Sequence, residues 1–436
     1  MKSALERATL VQLPFPSTAD GEASLAAYYE SYAERYREEI PDYFVPEADL
    51  WELPLWVAHL SGILRALPWE DALVDLSRVP ASVDVCVDRI LSATRPGDWV
   101  MFSPLAQNFG LALEVSRTLC ERGRRTAIGG NMAALATEGD ATRTIRGIAT
   151  PETLVATLKG PQALAELSLS RRGAIPWRPR YELLGGFRRR IPLLRLNASH
   201  GCLFGCTFCG DNWSRKLYVV DRKSLEAEVD SFADLFSDTR LIYIGDKTFG
   251  QSPEAVRNLI ETFETRPGYR FIVQTHVSVV NEALVDKMLR LGVAVVEVGF
   301  ESADEQALRE VRKTYGSERR VREVLQLLHD AGLRVVLNVL GGLPGEHPES
   351  HAKTVSFINE CAGVVWLYNL YNFVPYPLTP LFNQLRERIF DWDYAHWRED
   401  RPPIFEPFHL SPHQSWEFFL EKVAYSHRAI RALSPT

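Results

Sequence analysis

The chain is sparing with thiols: 436 residues carry six cysteines. That is too few for the disulfide framework that replaces a core in small secreted folds. Long apolar runs are also missing. No stretch approaches the roughly 20 apolar residues that span a bilayer. The N-terminal MKSALERATLVQLPFP has acid and proline where a signal peptide has an apolar run. A cytoplasmic protein with reduced thiols is expected, with no membrane partner. Positive charge is in short supply. The formal net charge is −7, which disfavours a nucleic-acid partner held by phosphate contacts. There is no low-complexity tail and no internal repeat. What remains is an ordinary globular composition, 46% hydrophobic and 24% charged, long enough for two or three domains.

Half of the scarce cysteines sit together: Cys202, Cys206 and Cys209 in HGCLFGCTFCGDN. Cys86, Cys120 and Cys361 stand alone in apolar surroundings and read as small core residues. Three readings of the triplet compete. A disulfide leaves one thiol unpaired in a reducing compartment. A zinc site wants four ligands, generally as two separated pairs, and His200 is the one nearby fourth ligand. An iron–sulfur cluster held by three thiolates leaves one iron of a four-iron cube without a protein ligand, and an open metal position is reactive. Gly201, Gly205 and Gly210 give the loop freedom to wrap closely.

The surroundings are repetitive in kind. Apolar runs read as strands at 191–199, 240–245, 269–276, 293–302, 334–342 and 364–373. Helical patterns fall near 253–264, 280–291, 304–313, 318–331 and 349–360. Strands alternating with helices predict a parallel sheet, curled by right-handed crossovers into a partial barrel. Chemistry in such barrels sits at the C-terminal strand ends. The cysteine loop follows the first strand and lies there. Gly245, Asp246 and Lys247 end the second strand, Gln274 and His276 the third, Glu301 and Ser302 the fourth, and Gly341 and Gly342 the fifth, with Pro344 and Gly345 following. Alternation puts Glu297, Gly299 and Glu301 on one strand face. A basic partner across the barrel is the bland account of Glu297.

The spacing Cys-x3-Cys-x2-Cys, with Phe208 before the last cysteine, resembles the signature of the radical S-adenosylmethionine (SAM) superfamily. The resemblance implies a six-strand (β/α) barrel and a [4Fe-4S] cluster on Cys202, Cys206 and Cys209. Its open iron would chelate SAM, and reductive cleavage would yield a 5′-deoxyadenosyl radical. It also implies SAM contacts at Phe208, Gly245, Asp246, Glu301, Ser302, Gly341 and Gly342. Asp246, His276 and Glu297 are the candidate catalytic acids or bases. A flavodoxin or ferredoxin would be the electron donor.

The first 160 residues read as a second α/β unit. Strands are expected at 8–16, 72–77, 98–105, 125–133 and 142–150, with helices in 50–67 and at 110–123 and 151–159. This βα order predicts a doubly wound, flavodoxin-like sheet. With its IGGN turn it resembles the cobalamin-binding domain of one radical SAM class. Asp-x-His-x-x-Gly, which supplies a cobalt ligand in many such domains, is absent, and His59 is the one histidine before the barrel. The expectation is therefore a domain without cobalamin. Residues 161–190 read as a linker, its Arg188–Arg189–Arg190 run as a solvated basic loop. The barrel is placed at 191–374. Residues 375–436, with Trp392, Trp397 and Trp416, are expected to cap it. There VPYPLTP resembles a Pro-Tyr-Pro-Gly-Thr segment of the cobalamin class, with Leu378 in place of the glycine.

Domain order and the missing cobalt ligand also resemble the radical SAM diol dehydratases of aminoglycoside-antibiotic biosynthesis, which act on sugars such as paromamine. An acidic mouth of Asp246, Glu297, Glu301 and Glu346 would suit such an amine-rich sugar. The alternative is a cobalamin-dependent radical SAM methyltransferase. A third reading is an electron-transfer or scaffold protein with a purely structural cluster.

Overall fold

The structure, a computed structural model, describes residues 6–16, 22–43, 49–67, 69–147, 149–170, 177–210 and 215–432. Strands β1 (Arg7–Gln12), β2 (Glu70–Asp75), β3 (Trp99–Phe102), β4 (Arg125–Ile128) and β5 (Arg143–Thr144) form a parallel sheet in the order β2-β1-β3-β4-β5. This is the doubly wound, flavodoxin-type order, with its switch point between β1 and β3. All four residues of β3 are buried, because helices cover both faces of the sheet. Ala8, Leu10 and Met101 pack in one apolar cluster with helices Leu55–Ala66 and Pro151–Lys159; Val11, Val100 and Phe102 pack in another with helices Val83–Ala93 and Ala106–Glu121. Strand β1 stops at Gln12, short of the predicted 16, where Pro14 and Pro16 remove backbone donors.

The second sheet holds β6 (Leu194–Leu196), β7 (Leu241–Ile244), β8 (Arg270–His276), β9 (Val293–Glu301), β10 (Arg334–Gly341) and β11 (Leu367–Asn372). All neighbours are parallel and follow chain order. Among the described residues β6 and β11 do not pair with each other, so the barrel is partial.

A helix that the periodicity analysis did not place, Ala23–Glu39, covers the open edge. Tyr28, Tyr32 and Tyr36 recur every fourth residue and share one face. The Tyr28 hydroxyl donates to the Tyr368 carbonyl, Tyr29 to that of Leu370 (3.4 Å), and Tyr32 to Asn369 Oδ1 (2.8 Å). Tyr36 stacks edge-on against Trp366 at 4.8 Å. The long C-terminal helix Pro412–Ala432 lies alongside, with His427 Nε2 3.0 Å from Ser31 Oγ and the Ile430 carbonyl accepting from Arg35.

Two expectations are corrected. Arg190 is not part of a solvated loop: it is 8% exposed, pairs with Asp49 (2.9 Å) and Asp75 (2.6 Å), and lies over the Phe187 ring. The connecting segment also contains a helix, Pro161–Ser170, and a helical turn, Glu182–Phe187. The C-terminal segment does more than cap the barrel. Leu381, Phe382, Trp397 and Phe405 join the apolar cluster beneath the first sheet, and Tyr394 packs edge-on against Phe109 at 4.9 Å. Leu378 adopts φ +69, a left-handed conformation that suits the glycine of the resembling segment. Among the described residues no helix is long and apolar enough to cross a membrane.

Docking of the connecting segment generates a test. A Cβ on Gly62, inside helix Leu55–Ala66, would stand 2.0 Å from the Arg178 carbonyl oxygen. Alanine is the better helix former by about 1 kcal/mol, yet Gly62→Ala is expected to destabilise the protein by about 1–3 kcal/mol through overpacking. A raised urea midpoint for this variant would show that the segment does not dock there.

Candidate active site

The cysteine loop begins where Asp246 anchors it. Asp246 Oδ1 accepts the Ala198 and Ser199 backbone N–H groups at 2.7 and 2.9 Å, and Oδ2 accepts the Ser199 hydroxyl at 2.5 Å. Burial raises its pKa and these bonds oppose the rise. The carboxylate is thus spent on loop geometry. A Cβ on Gly245 would stand 1.9 Å from Asn197 Oδ1 and 2.6 Å from Arg195 Nε, so both side chains would have to move to admit one. The loop is tied again at Thr207, whose N–H donates to the Val311 carbonyl and whose own carbonyl accepts from Leu381.

No disulfide joins any of the six cysteines; Cys86 and Cys361 are buried, as the core reading expects, whereas Cys120 is half-buried with its Sγ 3.1 Å from Thr126 Oγ1. Cys202 Sγ lies 3.6 Å from Thr248 Oγ1. Burial pushes the Cys206 thiol up to about 11, with Lys313 pulling it down. Among the described residues no three His, Cys, Asp or Glu side chains are drawn together as around one ion. Each thiol of a four-iron cube binds its own iron, so a cluster asks for three soft donors on one loop rather than for ligands around a single point.

At the end of β9 the backbone is strained. Glu301 has φ +68, next to a register shift in the β9–β10 pairing. Arg312 has φ +54 and immediately precedes Lys313. Both distortions lie beside one ion pair, in which Lys313 Nζ meets Glu301 Oε1 at 2.5 Å, with side chains 6% and 9% exposed. A Cβ on Gly299 would stand 2.6 Å from that ammonium and 3.1 Å from Glu301 Oε1, so a side chain there would displace the pair. Lys313, which the sequence reading did not single out, lies 6.0 Å from the Phe208 ring. Ser302 turns its hydroxyl to Thr354 (3.2 Å) and the Asp304 N–H (3.1 Å).

His276 sits at the end of β8 with its ring stacked on Phe204 of the cysteine loop at 3.9 Å. Burial, then the Lys313 charge, push its pKa down to about 3, so the ring is neutral. Nδ1 accepts the Ser278 N–H, which leaves the proton on Nε2, and that atom is buried without a partner. Glu297 lies deeper in the lumen. It accepts from Tyr243 at 2.8 Å; burial raises its pKa to about 6, while bonds from Tyr243 and Asn369 and the Arg195 charge oppose the rise. Gly341 and Gly342 face protein: a Cβ on the first would stand 2.7 Å from Phe419, and on the second 2.6 Å from Asn372 Oδ1.

A cavity of about 390 Å³ opens at this end of the barrel, lined by Phe208, Gly210, Gln274, Glu301, Asn338 and Tyr371 from the barrel and by Tyr376 and Glu399 from the C-terminal segment. The first sheet reaches the same place. Asn131 of the IGGN turn lies 3.6 Å from where a Cβ on Gly210 would stand. At the start of helix Ala106–Glu121, Gln107 Oε1 and Asn108 Oδ1 are buried without partners.

With this geometry in place, the relatives are informative. Residues 196–358 match the Radical SAM superfamily, so the chain carries a radical SAM domain. A solved structure of similar fold is that of TsrM, a radical S-adenosylmethionine methyltransferase from Kitasatospora setae with cobalamin and a [4Fe-4S] cluster bound. Its TM-score is 0.63 at 16% identity, over 88% of this chain and 78% of that one. The cobalamin-dependent SAM radical enzyme OxsB, with aqua-cobalamin and SAM bound, is similar with a TM-score of 0.59 at 16% identity, over 96% of this chain and 56% of that one. An uncharacterized methyltransferase of Synechocystis sp. is 24% identical over 192 residues, 42% of this chain. The match spans 35% of that relative's length. The two-sheet architecture expected from the sequence is that of these folds.

The buried Glu297 carboxyl predicts a pH effect. Its folded pKa of about 6 lies above the ordinary 4.5. The folded state therefore holds the extra proton, and stability is lost as pH rises through that window. The loss is about 2 kcal/mol between pH 4 and 7. Glu297→Gln keeps an acceptor for Tyr243 and removes the charge. Its urea stability relative to wild type is expected to grow by that amount across the window; a pH-independent difference would contradict the assignment.

Proposed function

We propose that the protein is a radical SAM enzyme of the cobalamin-dependent kind, transferring a methyl group to a small polar substrate in the barrel-mouth cavity. The observation that carries this reading is the meeting of two strand-end surfaces: the IGGN turn of the flavodoxin-type sheet abuts the cysteine loop at Asn131 and Gly210. The orphaned acceptors of Gln107 and Asn108 on that edge suit the amide N–H groups that fringe a corrin. The missing Asp-x-His leaves the cobalt without that protein ligand on this reading. The likeness to TsrM and OxsB supports a cobalamin-bearing domain over the expectation of one without it, and the likeness to TsrM, a methyltransferase, supports methyl transfer.

When bound, the cluster and SAM supply a carbon-centred radical, and a corrin supplies a methyl carrier. The chain's own residues do the rest. Cys202, Cys206 and Cys209 hold the cluster and Asp246 fixes their loop. Phe208, Glu301 and Lys313 border the cofactor position, the ion pair offering donors and acceptors to SAM's polar groups. The His276 Nε2–H is a free donor beside the loop. Gly341 and Gly342 admit the C-terminal helix, which closes that side.

Dehydration of an amine-bearing sugar diol is the second reading. The acidic mouth expected for it is altered: Glu301 is paired with Lys313, Glu346 with Lys422, Asp246 is saturated, and Glu297 is bonded in the lumen. The observation still favouring it is Glu399, a carboxylate in the cavity wall.

Anaerobic reconstitution with iron, sulfide and hydroxocobalamin separates the readings. Methyl transfer predicts about four irons and one cobalt per chain, with S-adenosylhomocysteine formed beside 5′-deoxyadenosine. Cys206→Ala is expected to lose the iron and keep the cobalt. Iron without cobalt, with SAM still cleaved, overturns methyl transfer in favour of dehydration. Intact SAM under dithionite overturns both.

A further inference from the structure

We infer that Lys422, on the C-terminal helix Pro412–Ala432, is a positioning residue for SAM: through Glu346 it fixes the backbone of the loop that follows β10. The inference rests on the radical SAM reading of the same site and holds for either reaction above.

One side chain holds the loop. Glu346 Oε2 accepts the Gly342 N–H at 2.8 Å, and Oε1 accepts from the Lys422 ammonium. Gly342 stands at φ +70. The Glu346 N–H closes a turn on the Leu343 carbonyl at 2.9 Å, with Pro344 and Gly345 between them. The side chains of Lys422 and Glu346 are 1% and 8% exposed. Lysine is seldom buried without such a partner. Burying two charges does not by itself stabilise a fold, because a well-packed apolar pair of similar volume does as well. What the charges supply is geometry. A carboxylate bonded at both oxygens cannot turn away from the Gly342 N–H without stranding the ammonium.

The helix meets the loop through one face. Ser415, Phe419 and Lys422 are spaced by four and three residues. A Cβ on Gly341 would stand 2.7 Å from Phe419, and one on Gly342 3.1 Å from Ser415 Oγ. On its other side the loop meets the tether of the cysteine loop. A Cβ on Gly345 would collide with the Glu310 carboxylate, and the next residue, Val311, accepts the Thr207 N–H at 2.9 Å. Leu340, near the end of β10, lines the cavity with Phe208. The loop is thus wedged at the cavity rim, between the helix and the segment that ties down the cysteines.

SAM binding to cluster-loaded protein is measured by calorimetry, beside its iron content. Lys422→Met is expected to keep about four irons per chain and to bind SAM about tenfold more weakly, because a shifted backbone no longer presents its groups in register. Lys422→Arg, which keeps the charge, is expected to stay within about threefold of wild type. Gly62→Ala, destabilised through the connecting segment instead, is expected to bind SAM as wild type does. Amide hydrogen exchange across 340–347 reads the same cause without any cofactor: it is expected to quicken in Lys422→Met and not in Gly62→Ala. Should Lys422→Met not fold, Glu346→Asp decides in its place. Both charges remain there, but the shorter carboxylate cannot span Gly342 and Lys422, and SAM affinity is expected to fall with iron retained. Wild-type affinity in the deciding variant, unchanged exchange across the loop, or an equal loss of affinity in Gly62→Ala overturns the inference and leaves the radical SAM reading standing. Cluster-loaded wild type that binds no SAM overturns both.

Discussion

An uncovered sheet edge is the constraint on which the rest of this structure depends. Six parallel strands curl without closing, so β11 presents unpaired carbonyls and the lumen is open along one side. The chain answers with tyrosines. Tyr28 and Tyr29 donate to carbonyls two residues apart on β11, and Tyr32 reaches the Asn369 side chain. A tyrosine suits this work because its ring buries apolar area while its hydroxyl reaches a polar target. The closing helix leaves the chain directly after β1 of the other sheet. The two sheets are thus joined through the residues that seal the barrel, and apolar packing is continuous from Leu10 and Met101 through Tyr36 to Val296 and Phe419.

A sealed partial barrel of this kind need not be filled with apolar layers. The lumen carries Arg195, Tyr243, Gln274, Glu297, Asn338 and Asn369, linked by hydrogen bonds from Tyr243 to Glu297 and from Asn369 to Asn338. Buried polar groups persist when they satisfy one another. Charges are handled in the same way toward the mouth, where Glu301 meets Lys313 and Glu346 meets Lys422. Positive φ at Glu301 and Arg312, beside the first pair, is a local cost that the surrounding packing sustains.

Much of this was legible in the sequence because periodicity reports burial. All six barrel strands and the five strands of the first sheet were placed, since parallel strands covered on both faces read as continuous apolar runs. The helix Arg222–Leu235 was overlooked although Leu225, Val229 and Phe232 mark a buried stripe; its remaining residues are polar enough to resemble a loop. Helix Ala23–Glu39 was hidden for another reason. Its buried face is made of tyrosines, which count as neither clearly apolar nor polar. At the site, the cysteines and the strand-end residues were visible as a pattern. Their pairing was not. Lys313 lies twelve residues beyond Glu301, past a helix and a strained turn, and no local rule connects them. Arg190 looked solvated because its partners Asp49 and Asp75 are more than a hundred residues away.

The C-terminal segment shows why both sheets matter to one cavity. Its apolar residues Phe382, Trp397 and Phe405 are packed with Phe102, Phe109 and Met132 of the first sheet and its helices. Its polar residues Tyr376 and Glu399 line the barrel mouth. Moving the first sheet relative to the barrel would therefore move the wall that faces the substrate, even with the cysteine loop untouched. A fully buried tryptophan such as Trp397 is a stiff way to transmit that position, because close-packed interiors leave little slack. On the proposed reading, the flavodoxin-type sheet thus does two jobs. It offers an edge to a cofactor, and it holds in register the segment that walls the substrate cavity.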